Sequence, residues 1–122
     1  MFNVERTPPF KEQVKELLAK HRAIETDIAW LSGRLCQAPG AIGDRVTQIK
    51  AALPVFKCRC KDSCCNLSSR EGWRLYYAVQ KETKMVFLLF LIHKHDQENP
   101  GKNFLEQKIT RAFAGRAGDK KA

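Results

Sequence analysis

The sequence predicts an α+β domain: a short N-terminal strand and a helical hairpin packed on an antiparallel sheet of three consecutive strands, with a C-terminal helix. Three observations carry that expectation. Apolar residues recur at helical spacing between Phe10 and Leu35. Strand signals dominate residues 55–61, 73–80 and 85–93. Helical spacing then returns after Asn103. A chain of 122 residues, 43% of them hydrophobic, can bury one core without covalent staples. Residues 1–114 read as a single domain and 115–122, "GRAGDKKA", as a flexible basic tail.

Each element has a local reason. In "FNVER", Phe2 and Val4 alternate with polar residues, the pattern of a short strand. Thr7 is placed to cap the helix that follows, and Pro8 suits its first turn. Phe10, Val14, Leu17, Leu18 and His21 share one helical face. Ile24, Ile28, Leu31 and Leu35 share a second, with a break near Ala23. "APGAIGDRV" reads as a loop from its proline and two glycines, and "TQIKAAL" as a short helical turn that Pro54 ends. "KET" fits a tight hairpin between the last two strands. "MVFLLFLI" is apolar on both faces, so it belongs at the centre of the sheet, covered on both sides. The first strand falls at the sheet edge or beside the last strand. "HDQENPGK" breaks the pattern, and Asn103 caps a helix with Phe104, Leu105, Ile109 and Phe113 on one side.

The charge balance narrows the function. Lys and Arg number 22 against 13 Asp and Glu, a net charge of +9. That excess favours a polyanionic partner such as nucleic acid, an acidic protein or an anionic membrane surface; solubility alone is the plain alternative. The longest apolar run, residues 85–92, falls far short of the roughly 20 residues that span a bilayer. No signal peptide is legible, so a cytoplasmic protein with no membrane partner is expected. Five cysteines, an odd number, fit reduced thiols better than a disulfide framework.

"VFKCRCKDSCC" concentrates both the cysteines and the cations. Strand geometry sends Phe56, Cys58 and Cys60 to one face and Lys57, Arg59 and Lys61 to the other, with same-face side chains about 7 Å apart. The opposite register would bury three charges at several kcal/mol each. Zinc held by Cys58, Cys60, Cys64 and Cys65 is the rival reading. Structural zinc sites, however, use two separated pairs, and C-x-C-x3-C-C is not that spacing, so no metal is expected. In "GWRLYYAV", Arg74 and Tyr76 share one face, while Trp73, Leu75 and Tyr77 share the other. At "HKHD", His93, Lys94 and His95 extend the cationic patch. A solvated face is the plain alternative for such a stripe.

Against RNA, such a patch has a chemistry. Scission requires a base for the 2′-OH, a group to neutralise charge at phosphorus, and an acid for the 5′ oxygen. Crowded cations favour a neutral lysine amine that can serve as base. Arginine clamps phosphate, histidine can act as the acid, and Tyr76 or Trp73 can stack on a base. No Asp/Glu cluster points to a metal-dependent route.

"VFKCRCKDS", "GWRLYYAV" and "VFLLFLIHKHDQEN" together resemble the RelE/ParE superfamily of toxins from bacterial type II toxin–antitoxin systems, and "VERTPPFKEQVKELL" resembles its opening strand and first helix. The resemblance implies a small RelE-like domain acting as a ribosome-dependent, metal-independent endoribonuclease that cuts mRNA and inhibits translation without a cofactor. By position it implies a catalytic set of Lys57, Arg59, Lys61, Arg74 and His95, with Lys94 as a further substrate contact beside Tyr76 and Trp73. His95 stands where ribosome-dependent members tend to carry an arginine. The implied partners are a cognate antitoxin that covers the basic face and mRNA on the ribosome, with operator DNA reached only through the antitoxin complex. The sequence departs from the pattern in its clustered cysteines and in lacking the tyrosine that some members place in the C-terminal helix. A ParE-like DNA gyrase poison and a non-catalytic nucleic-acid-binding regulator share the fold and stay open as alternatives.

Overall fold

A computed structural model of the chain describes residues 1–47, 49, 51–60, 72–93 and 101–121, with side chains in the last stretch through 113. β1 (Asn3–Arg6) leads into α1 (Pro8–Leu17), which is followed by α2 (Ile24–Gln37) and the short α3 (Pro39–Ile42). The strands β2 (Asp44–Arg45), β3 (Val55–Cys60), β4 (Trp73–Gln80) and β5 (Met85–His93) come next, and α4 (Lys102–Lys121) closes the chain. The sheet order is β1-β5-β4-β3-β2. β3, β4 and β5 form the expected antiparallel meander, and β1 adds to β5 in parallel, Asn3 opposite Met85, so the sheet as a whole is mixed. The first strand is thus both at an edge and beside the last strand.

β5 sits inside the sheet and its side chains are buried on both faces, as its unbroken apolar run requires. One face, with Phe56, Cys58, Cys60, Trp73, Leu75, Tyr77, Val79, Val86, Leu88 and Leu91, packs against Phe10 and Val14 of α1 and Ile24, Ile28, Leu31 and Leu35 of α2. The other face packs Val55, Tyr76, Ala78, Phe87, Leu89, Phe90 and Ile92 against Leu105, Ile109 and Ala112 of α4. A register shift between Tyr76 and Tyr77 places Phe90 opposite the first and Leu88 opposite the second. Leu89 is the extra residue of a bulge, so Leu89 and Phe90 both join the α4 side.

Several local expectations change. Thr7 is buried, but it does not cap α1 through its side chain. Its Oγ1 donates to the Leu88 carbonyl at 2.8 Å, and its backbone N–H reaches the same oxygen at 3.2 Å, pinning the strand-to-helix corner onto β5. Leu18 ends α1 as an exposed residue instead of extending its buried face. "APGAIGDRV" is more ordered than a loop: Pro39 starts α3 and Asp44–Arg45 pair with β3. The described residues of 47–53 carry no helix. Tyr77 explains the order nearby, because its hydroxyl donates to the Pro39 carbonyl at 2.6 Å. Gly43 lets the backbones close up there: a Cβ on it would lie 2.6 Å from the Lys57 carbonyl oxygen and 2.5 Å from the Tyr77 hydroxyl. α4 begins at Lys102, just before Asn103, and runs to Lys121.

The edge of β5 has its own protection. β1 covers only Met85 to Leu88. Beyond the bulge, Leu91 presents a backbone N–H and C=O to that edge, and the Gln13 side chain answers both: Nε2 donates to the Leu91 carbonyl at 2.7 Å and Oε1 accepts from the Leu91 N–H at 2.8 Å. A carboxamide has the donor–acceptor pair of a peptide unit, so Gln13 continues the ladder where β1 has already turned into helix. Across the hairpin, Arg6 holds Glu25 in a two-pronged pair at 2.9 and 2.7 Å.

Two outcomes test these ties. Gln13→Ala orphans both Leu91 groups and should cost about 1–3 kcal/mol in denaturant unfolding, and Gln13→Glu, which turns an acceptor-only carboxylate oxygen toward the Leu91 carbonyl, should destabilise as well. The Arg6 hydrogen bond, ahead of a smaller opposing effect of burial, lowers the Glu25 pKa from its ordinary 4.5. A depressed folded-state pKa stabilises above the unfolded value, and that stabilisation is lost as pH falls through the folded value. Stability should therefore fall on acidification below about 4.5, and Glu25→Gln should flatten that part of the pH profile.

Candidate nucleic-acid interface

The two faces of the meander explain where the cations stand. Alternation on β3 turns Cys58 and Cys60 into the core under α2 and leaves Lys57 and Arg59 exposed on the opposite side. That opposite side is the one α4 occupies; α4 packs chiefly over β5, and of β3 Val55 joins its cluster while Lys57 and Arg59 stay exposed. The same face is therefore apolar under the helix and cationic beside it. Pairing brings Arg59 directly opposite Arg74, and Lys57 opposite Tyr76. Arg59 and Arg74 are like charges at a cross-strand position, where Cβ atoms lie roughly 4.5–5.5 Å apart, and Lys57 is two residues along β3. Arg74 is partly buried, with its Nη1 near the Trp73 carbonyl at 3.4 Å.

The rings expected to stack on a base are not on offer. Tyr76 is 2% exposed, and its ring lies on Phe90 with centroids 4.6 Å apart. Burial raises its hydroxyl pKa, with Arg74 opposing. Trp73 is 3% exposed and belongs to the other face of the sheet. It packs edge-on against His93 at 4.7 Å and His21 at 5.1 Å. His93 pairs with Trp73 across β4 and β5 and shares that buried side, so it does not extend the cationic patch. Ring exposure is set by tertiary cover: strand alternation assigned Tyr76 its face correctly, but α4 and Phe90 close that face over it.

Lys61, Lys94, His95, Cys64 and Cys65 lie outside the described residues. Of the expected site residues, the structure brings together Lys57, Arg59 and Arg74. It adds one that the sequence did not single out. Asp44 of β2 stands opposite Lys57 and places a carboxylate beside the row. A two-residue strand is too short to show a period, so only the turn chemistry of "IGDR" marked that position.

The cysteines of β3 behave as core atoms. Cys58 and Cys60 are buried, and neither is in a disulfide. Burial first, and then the neighbouring Cys60, push the Cys58 thiol up to about 12, against a small opposing effect of Arg34. Among the described residues, no group of three or more His, Cys, Asp or Glu side chains could hold a metal ion. No described helix is long and apolar enough to cross a membrane.

Fold and site together define an α+β domain with a five-stranded mixed sheet, helices on both faces and a cationic row beside the C-terminal helix. No family model matches the chain, and no curated protein matches it. Among solved structures it is similar to the solution structure of the conserved hypothetical protein HP0892 from Helicobacter pylori, at 17% identity and a TM-score of 0.44, over 79% of this chain and 98% of that one.

Thiol chemistry checks the register of β3. Maleimide labelling of Cys58 and Cys60 in the folded protein should be slower than that of an unfolded control by about two orders of magnitude at neutral pH, since both thiols are buried and burial also raises the Cys58 pKa. Rapid labelling of both in the native protein would place them on the outer face and the cations inside.

Proposed function

We propose that this protein is the toxin of a type II toxin–antitoxin pair, acting as a ribosome-dependent, metal-independent endoribonuclease on mRNA. The observation that carries the reading is the Arg59–Arg74 cross-strand pair flanked by exposed Lys57. Like charges directly opposite one another destabilise a sheet, and a phosphate between them reverses the sign of that term. Sequence resemblance to RelE/ParE toxins supplies the choice of polyanion.

In this reading Arg59 and Arg74 grip the scissile phosphate and neutralise charge as it builds on the non-bridging oxygens. The 2′-OH gives its proton to a base and attacks phosphorus, and the 5′ oxygen leaves with a proton from an acid. Lys57 and Lys61 are the amines assigned to the base role, and His95 to the acid, each from the sequence. Bound mRNA is positioned by the ribosome together with Lys94, so buried Trp73 and Tyr76 act through the fold and not as stacking platforms. An acidic antitoxin is the proposed inhibitor, covering the row.

A second reading has its own support. Among the described residues the outward row offers cations and one carboxylate, with His93, Trp73 and Tyr76 all turned inward or covered. That inventory suits phosphate binding without cleavage, as in a regulator that keeps the fold.

Expression of the chain alone should stop translation and leave cuts inside coding regions, and Lys57→Ala with Arg74→Ala should abolish the cuts while the far-UV circular dichroism is unchanged. Intact mRNA with double-strand DNA breaks would assign a gyrase poison instead; RNA binding without cuts, ribosomes present, would assign the regulator. Arg59→Gln separates function from fold: it should stabilise the free protein by about 0.2–1 kcal/mol while lowering the salt slope of RNA binding by about 1.

A further inference from the structure

One aromatic ring among the described residues is more than half exposed. Trp30, on α2, stands 58% in solvent, against 3% for Trp73. Ile24, Ile28, Leu31 and Leu35 take the side of α2 that meets the sheet, and Trp30 belongs to neither core cluster. The Arg34 guanidinium, one turn on, lies 5.2 Å from the centroid of its ring. The other exposed neighbours along the helix are Thr26, Ala29 and Gly33, none of them large or acidic. Glycine weakens the middle of a helix, and no packing requires it at Gly33: a Cβ there would meet nothing within 4 Å. Its effect is to keep the flank of the indole low. Asp27 is buried and Glu25 is held by Arg6, so Arg34 sets the sign of the charge beside the ring.

We propose that Trp30 and Arg34 form a stacking platform for an unpaired nucleotide of single-stranded RNA. An exposed indole stacks on the flat face of a base, and an arginine beside it supplies the charge for the adjoining phosphate. A net charge of +9 draws such a polyanion to the chain. A protein partner fits the surroundings less well. Aromatic anchors of protein interfaces sit in a cluster of apolar side chains. Trp30 sits instead among Thr26, Ala29, Gly33 and Arg34, which suits one flat ligand with a negative charge at its edge. The cationic row lies on the other side of the sheet, on the face that α4 partly covers. The platform therefore takes a different nucleotide from the row, and it does not depend on whether the row cleaves RNA.

The test is tryptophan fluorescence of the full-length chain titrated with a short single-stranded oligoadenylate RNA. The chain has two tryptophans, and Trp73 is buried, so quenching reports on Trp30. Oligoadenylate should quench the emission, and tripolyphosphate, which has the charge without the base, should not. The titration is repeated on Lys57→Ala with Arg74→Ala, so that the row does not contribute, and the quenching should persist. In that background Trp30→Ala should weaken RNA binding by about 5- to 150-fold, read by polarisation of a labelled oligonucleotide. Arg34→Gln should reduce the salt slope by about 0.7. Gly33→Leu raises a side chain beside the ring without removing ring or charge. It should weaken binding about fivefold or more while the melting temperature holds or rises, so unfolding cannot mimic the loss. Equal quenching by tripolyphosphate, or binding unchanged by Trp30→Ala, overturns the proposal. So does an acidic peptide that quenches Trp30 and displaces the RNA, which would assign the surface to a protein partner. Quenching without mRNA cuts by the chain would sink the nuclease reading alone, and cuts without quenching would sink the platform alone.

Discussion

β5 can touch water on neither face, and the remaining elements are arranged by that demand. Seven apolar residues in succession, Val86 to Ile92, leave no polar side to turn outward, so helices must lie on both sides of the sheet. The helical hairpin supplies one cover and α4 the other. The edge needs cover as well, and it comes in pieces: β1 along the first half, the Thr7 hydroxyl at the corner, and the Gln13 carboxamide beyond the bulge. The bulge itself belongs to the same solution. It lets Leu89 and Phe90 both feed the α4 core, where strict alternation would have sent one of them to the hairpin side.

A cover that spans only part of a face divides it. α4 rests over β5, and its cluster reaches Tyr76 and Val55, while Lys57 and Arg59 farther along β3 are exposed. Residues on the covered part must be apolar; those beyond it are free to be charged, and the chain uses that freedom for Lys57 and Arg59. Arg74 marks the boundary, partly buried, its strand neighbour Tyr76 already beneath the helix. The cationic row is therefore a by-product of helix placement as much as of strand alternation. Within it Arg59 and Arg74 are like charges directly opposite one another, and the Asp44 carboxylate stands across from Lys57.

The order of elements, both helical faces, the central place of β5 and the orientation of β3 were all legible in the residues, because each rests on a period: 3.6 for Ile24, Ile28, Leu31 and Leu35, and 2 for Cys58 and Cys60 against Lys57 and Arg59. What escaped had no period. α3 and β2 are too short to show one. Thr7 looked like a cap because capping is a local rule, yet a carbonyl on a distant strand won its hydroxyl. The bulge cannot be seen in "MVFLLFLI", where every register is apolar. Within the candidate site, the faces of Arg74, Tyr76 and Trp73 followed from alternation, but their exposure depended on which strand α4 would cover. Gln13 gave no signal at all, since a half-buried glutamine on an amphipathic helix looks like any other polar position.

The parallel pairing of β1 with β5 has a consequence for the order of events in the life of the chain. Asn3 waits for Met85, and Arg6 for Leu88. While the polypeptide emerges from the N-terminus, its first strand has no partner and its first two helices have no sheet to lie on. The hairpin's apolar stripe is sheltered only once the last strand arrives. Closing so long a loop is entropically expensive and is done once, so the two ends of the domain should order together, late, as one cooperative event. Until then the nascent chain carries its cations on an unformed strand, without the cross-strand register that sets Arg59 opposite Arg74 and Lys57 opposite Tyr76.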